Sequence, residues 1–142
     1  MPKLIHYSDV ENVYDDPERV GRLLAALDAH RTNKTIVVGT GDDIAPNTLG
    51  LVRQGDHAVE LFKSIDPDVE TFGNHDFDYG PDATERIVRE SPQTWVSANL
   101  FASPRDVEDR DMGRRFAGVP SNTVVSLDET TLGFIGVAAS LP

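Results

Sequence analysis

Short apolar runs that end abruptly in glycine and acid constrain this chain more than any other feature. Lys3–Tyr7 runs into Ser8-Asp9-Val10-Glu11, and Thr35–Gly39 into Thr40-Gly41-Asp42-Asp43. Residues 69–72 run into Gly73-Asn74-His75-Asp76-Phe77-Asp78-Tyr79-Gly80. Apolar runs this short, bounded by turn residues, read as strands. Helical patterns separate them. Asp15-Asp16-Pro17-Glu18 is a helix start, with acids in the first turn and proline near its first position. Val20, Leu23, Leu24 and Leu27 then follow at helical spacing. His57, Ala58, Leu61 and Phe62 mark a second helix, which Asp66-Pro67-Asp68 ends, and 81–89 a third. Strands alternating with helices make an α/β protein, one sheet flanked by helices. In open sheets of that class, ligands gather at the carboxyl ends of the strands.

The remainder is less regular. Residues 94–97 read as a further strand, and 101–120, rich in Asp and Arg, as a long irregular connection. Residues 123–127 and 132–137 flank Asp128-Glu129 as a β-hairpin. A length of 142 residues fits one domain, and 39% hydrophobic residues suffice for a core. The net charge of -11 excludes a nucleic-acid polymer as partner. Lysine occurs only at Lys3, Lys34 and Lys63, an acid-rich balance that suits a high-salt medium, where the Debye length falls to about 3 Å near 1 M. No apolar run approaches the roughly 20 residues of a membrane span. The start of the chain has no signal-peptide pattern, so the expected location is the cytoplasm. Without cysteine, disulfides and thiolate metal sites are excluded.

The chemistry sits at the strand ends. Asp9 and Glu11, two apart, would point the same way on extended backbone. Asp42 follows Gly41 directly and is the preferred ligand of its pair, with Asp43 behind it or capping. Acid at this point, with no phosphate-binding lysine following, argues for a cation rather than for a nucleotide loop. Asn74 and His75 complete the set. Carboxylates, an amide oxygen and an imidazole suit Mn²⁺, Mg²⁺, Fe²⁺ or Zn²⁺. Two such ions about 3.5–4 Å apart are the arrangement used for in-line displacement at phosphorus. His30, at a helix end, and His57, as a packing or surface residue, are not read as ligands.

With these residues in view, the chain resembles the calcineurin-like metallophosphoesterases, and within them the 5′-nucleotidase branch. The resemblance rests on Ser8-Asp-Val-Glu11, Gly41-Asp42, the run Gly73 to Gly80 and Ser97-Ala-Asn-Leu100, and covers roughly residues 3–100. It implies a partial αββα sandwich, with residues 1–142 as the amino-terminal part of the catalytic domain. It implies two divalent metal ions, with Asp9 on the first, Asp42 bridging and Asn74 on the second. A hydroxide activated by the metals would attack phosphorus in a small phosphoester, a nucleotide being the expected substrate. His75 would stabilise the transition state and protonate the leaving oxygen, and Asp78 would orient His75.

Two departures qualify the resemblance. The family usually has Asp-x-His where this chain has Asp9-Val10-Glu11, which makes Glu11 either an oxygen ligand favouring harder ions or a group behind the metals. The family's later histidines, including a Gly-His-x-His stretch, have no counterpart after His75. The chain alone is therefore expected to bind metal weakly, to turn over phosphoesters slowly or not at all, and to expose apolar surface and a strand edge. The alternative is a metal- or nucleotide-binding regulatory module without catalysis. A phosphoacceptor signalling domain also clusters acids at strand ends, but needs no His75–Asp78 pair and wants a late lysine that is missing.

Overall fold

A computed structural model describes residues 2–108 and 113–139. Four strands form a parallel sheet in the order β1-β2-β3-β4: β1 Lys3–Tyr7, β2 Thr35–Gly39, β3 Val69–Glu70 and β4 Thr94–Trp95. Parallel neighbours need crossovers, and the amphipathic segments supply them. Helix α1, Pro17–His30, lies between β1 and β2. Its start is fixed by Asp16, whose carboxylate accepts the Glu18 and Arg19 amides at 2.9 and 3.3 Å. Between β2 and β3 lie a single turn, α2 Gly50–Arg53, and α3 Asp56–Ile65. The expected second helix is thus α3, with the α2 turn before it. Helix α4, Pro81–Glu90, connects β3 to β4.

The alternation of side chains along β2 sets two core layers. Val37 points to one face and joins Leu27, Phe62, Ile65, Phe72, Ile87 and Trp95 in the helix-side core. Ile36 and Val38 point to the other face and join Val69 and Val96. That second face is covered by an antiparallel hairpin, β5 Asn122–Leu127 and β6 Thr130–Ile135. Val125, Leu127, Leu132 and Phe134 pack inward from it. The order is helices, sheet, hairpin: three layers of an αββα arrangement, with helices on one face of the main sheet. The hairpin matches the sequence pattern, but its second strand begins and ends two residues earlier than that pattern indicates. Gly136 leaves the ladder because its carbonyl accepts the Ala98 amide at 2.7 Å.

The 101–120 connection is more structured than its composition indicates. Phe101 bridges to Arg115, α5 spans Pro104–Glu108, and a 3₁₀ turn spans Phe116–Gly118. Residues 109–112 of that connection lie outside the described residues. No described helix is long and apolar enough to cross a membrane. The hairpin's outer face does carry exposed apolar residues, Val124 at 61% and Ile135 at 72%, as the sequence leads one to expect. If the hairpin packs as described, Phe134→Ala lowers the unfolding free energy by about 2–3 kcal/mol while Ile135→Thr changes it by less than about 0.5. Equal losses in urea denaturation would contradict that orientation.

Candidate active site

The three strand ends are joined directly through backbone and carboxylate. The Asp9 amide donates to the Gly41 carbonyl at 3.2 Å, and the Glu11 amide to the Asp42 carbonyl at 3.3 Å. The Asp42 carboxylate accepts the His75 amide at 2.7 Å. Asp9, Glu11, Asp42 and the Asn74-His75 turn therefore share one surface at the carboxyl edge of the sheet. Close approach makes this possible. A Cβ on Gly41 would collide with the Gly73 nitrogen, and Gly41 has φ +90°. Asp9 and Asp42 are themselves left-handed, with φ 55° and 56°. Non-glycine residues held there cost of order 1–3 kcal/mol each, strain typical of functional loops.

One buried side chain holds the loops at this spacing. Asp76, 1% exposed, takes four amides on its carboxylate. Oδ1 accepts from Asp43 at 2.9 Å and Ile44 at 3.0 Å. Oδ2 accepts from Asp42 at 3.1 Å and Gly73 at 2.8 Å. Asp43, also fully buried, accepts the Val10 amide at 3.2 Å and so ties the first loop to the second. That agrees with reading Asp43 as a group behind Asp42. Sequence reasoning assigns Asp76 no role, because an aspartate in a polar turn carries no mark of burial.

His75 and Asp78 are exposed and lie one turn apart on the 3₁₀ segment His75–Phe77 and its cap. Nδ1 of His75 is 3.0 Å from Asp78 Oδ2, which leaves Nε2 on the outer side of the ring. The bond to Asp78 holds the imidazole pKa above its ordinary value, and the charges of Asp42 and Glu11 add to it. Glu11 is raised as well, first by burial and then by the charges of Asp9 and Asp42. His57 is buried under the Tyr14 ring, 4.3 Å between centroids, and takes no part in this cluster.

The donor set fits a hard divalent cation in chemistry. Glu11 Oε2 is buried without a hydrogen-bond partner, next to two more carboxylates. A carboxylate oxygen in that state is stabilised by a cation, and oxygen donors of this kind suit Mg²⁺ and Mn²⁺. Among the described residues, no three His, Cys, Asp or Glu side chains are grouped so as to hold a metal ion. Each of these carboxylates takes one protein donor on one oxygen: the His75 backbone amide on Asp42, the Ser8 hydroxyl on Asp9, and the Asn12 side-chain amide on Glu11. Next to the site, Phe77, Phe101, Phe116, Arg114 and Arg115 help line an open cleft of about 680 Å³ that does not include Asp9, Asp42 or His75.

No protein-family profile matches the chain, and no curated protein matches it in sequence. Solved structures do. The NAD nucleotidase of Haemophilus influenzae is similar over 96% of this chain and 26% of its own, with a TM-score of 0.77 and 16% identity. A 5′-nucleotidase precursor from Thermus thermophilus is similar over 96% and 28%, with a TM-score of 0.74 and 22% identity. A calcineurin-like phosphoesterase from Bacillus subtilis is similar over 96% and 48%, with a TM-score of 0.65 and 18% identity. The chain thus has the α/β fold found in 5′-nucleotidases and calcineurin-like phosphoesterases. It spans about a quarter to a half of the length of these three structures.

Two outcomes follow from the buried acids. Asp76→Ala leaves four amides without an acceptor and is expected to cost at least about 3 kcal/mol in urea unfolding. Asp76→Asn should recover little, since it turns an N–H toward two of those donors. A loss below about 0.5 kcal/mol in Asp76→Ala would remove Asp76 from this role. The pH dependence has a definite sign. Burial pushes Asp76 up to about 6 despite its four amides, and it pushes Asp43 and Glu70 well above the ordinary carboxyl range. Unfolded carboxyls titrate near 4, so between about pH 4 and 6 and beyond, the folded chain binds more protons. The contribution of Asp76 is complete below about pH 4 and is lost as pH rises through about 6, and those of Asp43 and Glu70 change with the same sign. The urea midpoint is therefore expected to fall from pH 5 to pH 8, and less steeply in Glu70→Gln.

Proposed function

We propose that this chain carries the strand-end half of a metal-dependent phosphoester hydrolase site, with a nucleotide as the substrate class. The observation that carries the reading is the His75–Asp78 pair beside Asp42 and Glu11, at the carboxyl edge of a sheet shared with nucleotidase and phosphoesterase structures. Asp9, Glu11, Asp42 and Asn74 would hold two divalent ions of the Mn²⁺, Mg²⁺, Fe²⁺ or Zn²⁺ kind. Such ions, when bound, polarise phosphoryl oxygens and lower the pKa of water. The remaining chemistry belongs to the chain. Asp78 fixes the His75 ring through Nδ1 and supports its positive charge. Nε2 then holds a proton where a leaving oxygen needs one. The bond to Asp78 raises the His75 pKa above its ordinary value and so favours the protonated ring.

A second reading has its own support. Glu11 stands where the resemblance expects a histidine, which leaves the donor set altered for catalysis and supports a non-catalytic metal- or nucleotide-binding module. One experiment separates the two. Mn²⁺ is titrated into the chain by calorimetry, and hydrolysis of a nucleoside monophosphate is followed with and without the metal. The hydrolase reading expects Mn²⁺-dependent turnover that His75→Ala reduces by roughly 100-fold or more, with Mn²⁺ binding retained. Binding without turnover supports the module. Absence of Mn²⁺ binding overturns the hydrolase reading, and absence of both Mn²⁺ and nucleoside monophosphate binding in the calorimeter overturns the module as well.

A further inference from the structure

Glu70 is the one acid placed inside a strand of the main sheet, and it is fully buried. Its carboxylate does not face the site. It faces the two strands that carry the site. Tyr7, the last residue of β1, donates its hydroxyl to Oε2 at 2.5 Å. Gly39, the last residue of β2, lies directly against the same carboxylate, so closely that a Cβ there would collide with both of its oxygens. Asp9 is two residues beyond Tyr7, and Asp42 is three beyond Gly39.

An apolar residue would fill this place more cheaply. Burying a carboxyl group costs several kcal/mol in water-to-interior transfer unless its bonds are made, and Oε1 finds no partner. The aliphatic side chains buried in the same sheet, Ile36, Val37, Val38 and Val69, need no such bond. What the carboxyl supplies that a methyl cannot is a directed bond to Tyr7 and a flat, narrow group that lets Gly39 come close. We infer that Glu70 is a positioning residue, fixing the ends of β1 and β2 and through them the loops of Asp9 and Asp42. The inference rests on the proposed site for its purpose, but its geometry stands on the sheet alone.

The test compares Glu70→Gln, which keeps the shape and an acceptor for Tyr7, with Glu70→Met, which keeps the volume and removes the bond. Amide hydrogen exchange is read by NMR without metal, together with urea stability. Positioning predicts that the Val10, Asp42, Asp43 and Ile44 amides exchange at least about tenfold faster in Glu70→Met, while amides of α1 and β5 change little. In Glu70→Gln the same four amides should stay within about threefold of the original chain. Equal exchange in all three proteins, or acceleration spread evenly over the chain, would overturn the inference. Where Glu70→Met does not fold, Tyr7→Phe removes the same bond from the other side and is read the same way. Mn²⁺ calorimetry on the same samples is expected to show roughly tenfold weaker binding in Glu70→Met and recovery in Glu70→Gln. If no sample binds Mn²⁺ but the exchange pattern splits as described, the metal reading fails and the positioning role stands.

Discussion

The acceptance of four amides by one buried carboxylate, that of Asp76, is the constraint on which the strand-end region depends. Amides at the ends of parallel strands have no ladder partner, and here they point inward, where water cannot serve them. A single anion satisfies them together. It thereby draws the Gly41–Ile44 and Gly73–His75 segments into contact, a contact close enough that neither Gly41 nor Gly73 tolerates a Cβ. Asp43 extends the same logic to the first loop through Val10. The exposed acids and His75 are then presented by a framework whose own polar groups are already matched.

This arrangement explains the mixture of strain and charge at the site. Asp9 and Asp42 adopt left-handed backbone, and their charges repel that of Glu11, so the segment is costly in isolation. The cost is offset by the helix-side core beneath it, where Phe62, Phe72, Ile65 and Ile87 are almost wholly buried and Phe72 stacks near Trp95 at 4.8 Å between centroids. Electrostatic tension at the surface and dense packing below belong together: rigid strands allow a repulsive cluster to be held without collapse.

Much of the fold was legible because periodicity reports burial. Leu27, Val37, Phe62 and Ile87 announce their faces by spacing, and Asp16-Pro17 announces a helix start. The joining of Asp9, Asp42 and His75 was legible too, since each follows an apolar run that ends in a small or polar residue. What spacing does not reveal is which polar residues turn inward. Asp76 and Asp78 are two apart in one turn, yet one is buried and braces the loops while the other is exposed against His75. Glu70 left a sign, an acid in the middle of an apolar run, that composition alone does not interpret. The occupation of the carboxylates by His75 N–H, Ser8 and Asn12 depends on loop geometry no pattern encodes.

The brace also bears on the order in which the molecule is built. Asp76 and the amides of Asp42 and Asp43 are more than thirty residues apart in sequence, whereas β5 and β6 meet across a two-residue turn. Closing a long loop carries an entropic cost before its contacts can repay it, and short-range pairing does not. The hairpin and helices can take shape locally, while the polar cluster comes into register only once β1, β2 and β3 lie side by side. By this argument from sequence separation, the strand-end surface is expected to assemble only after β1, β2 and β3 have come together.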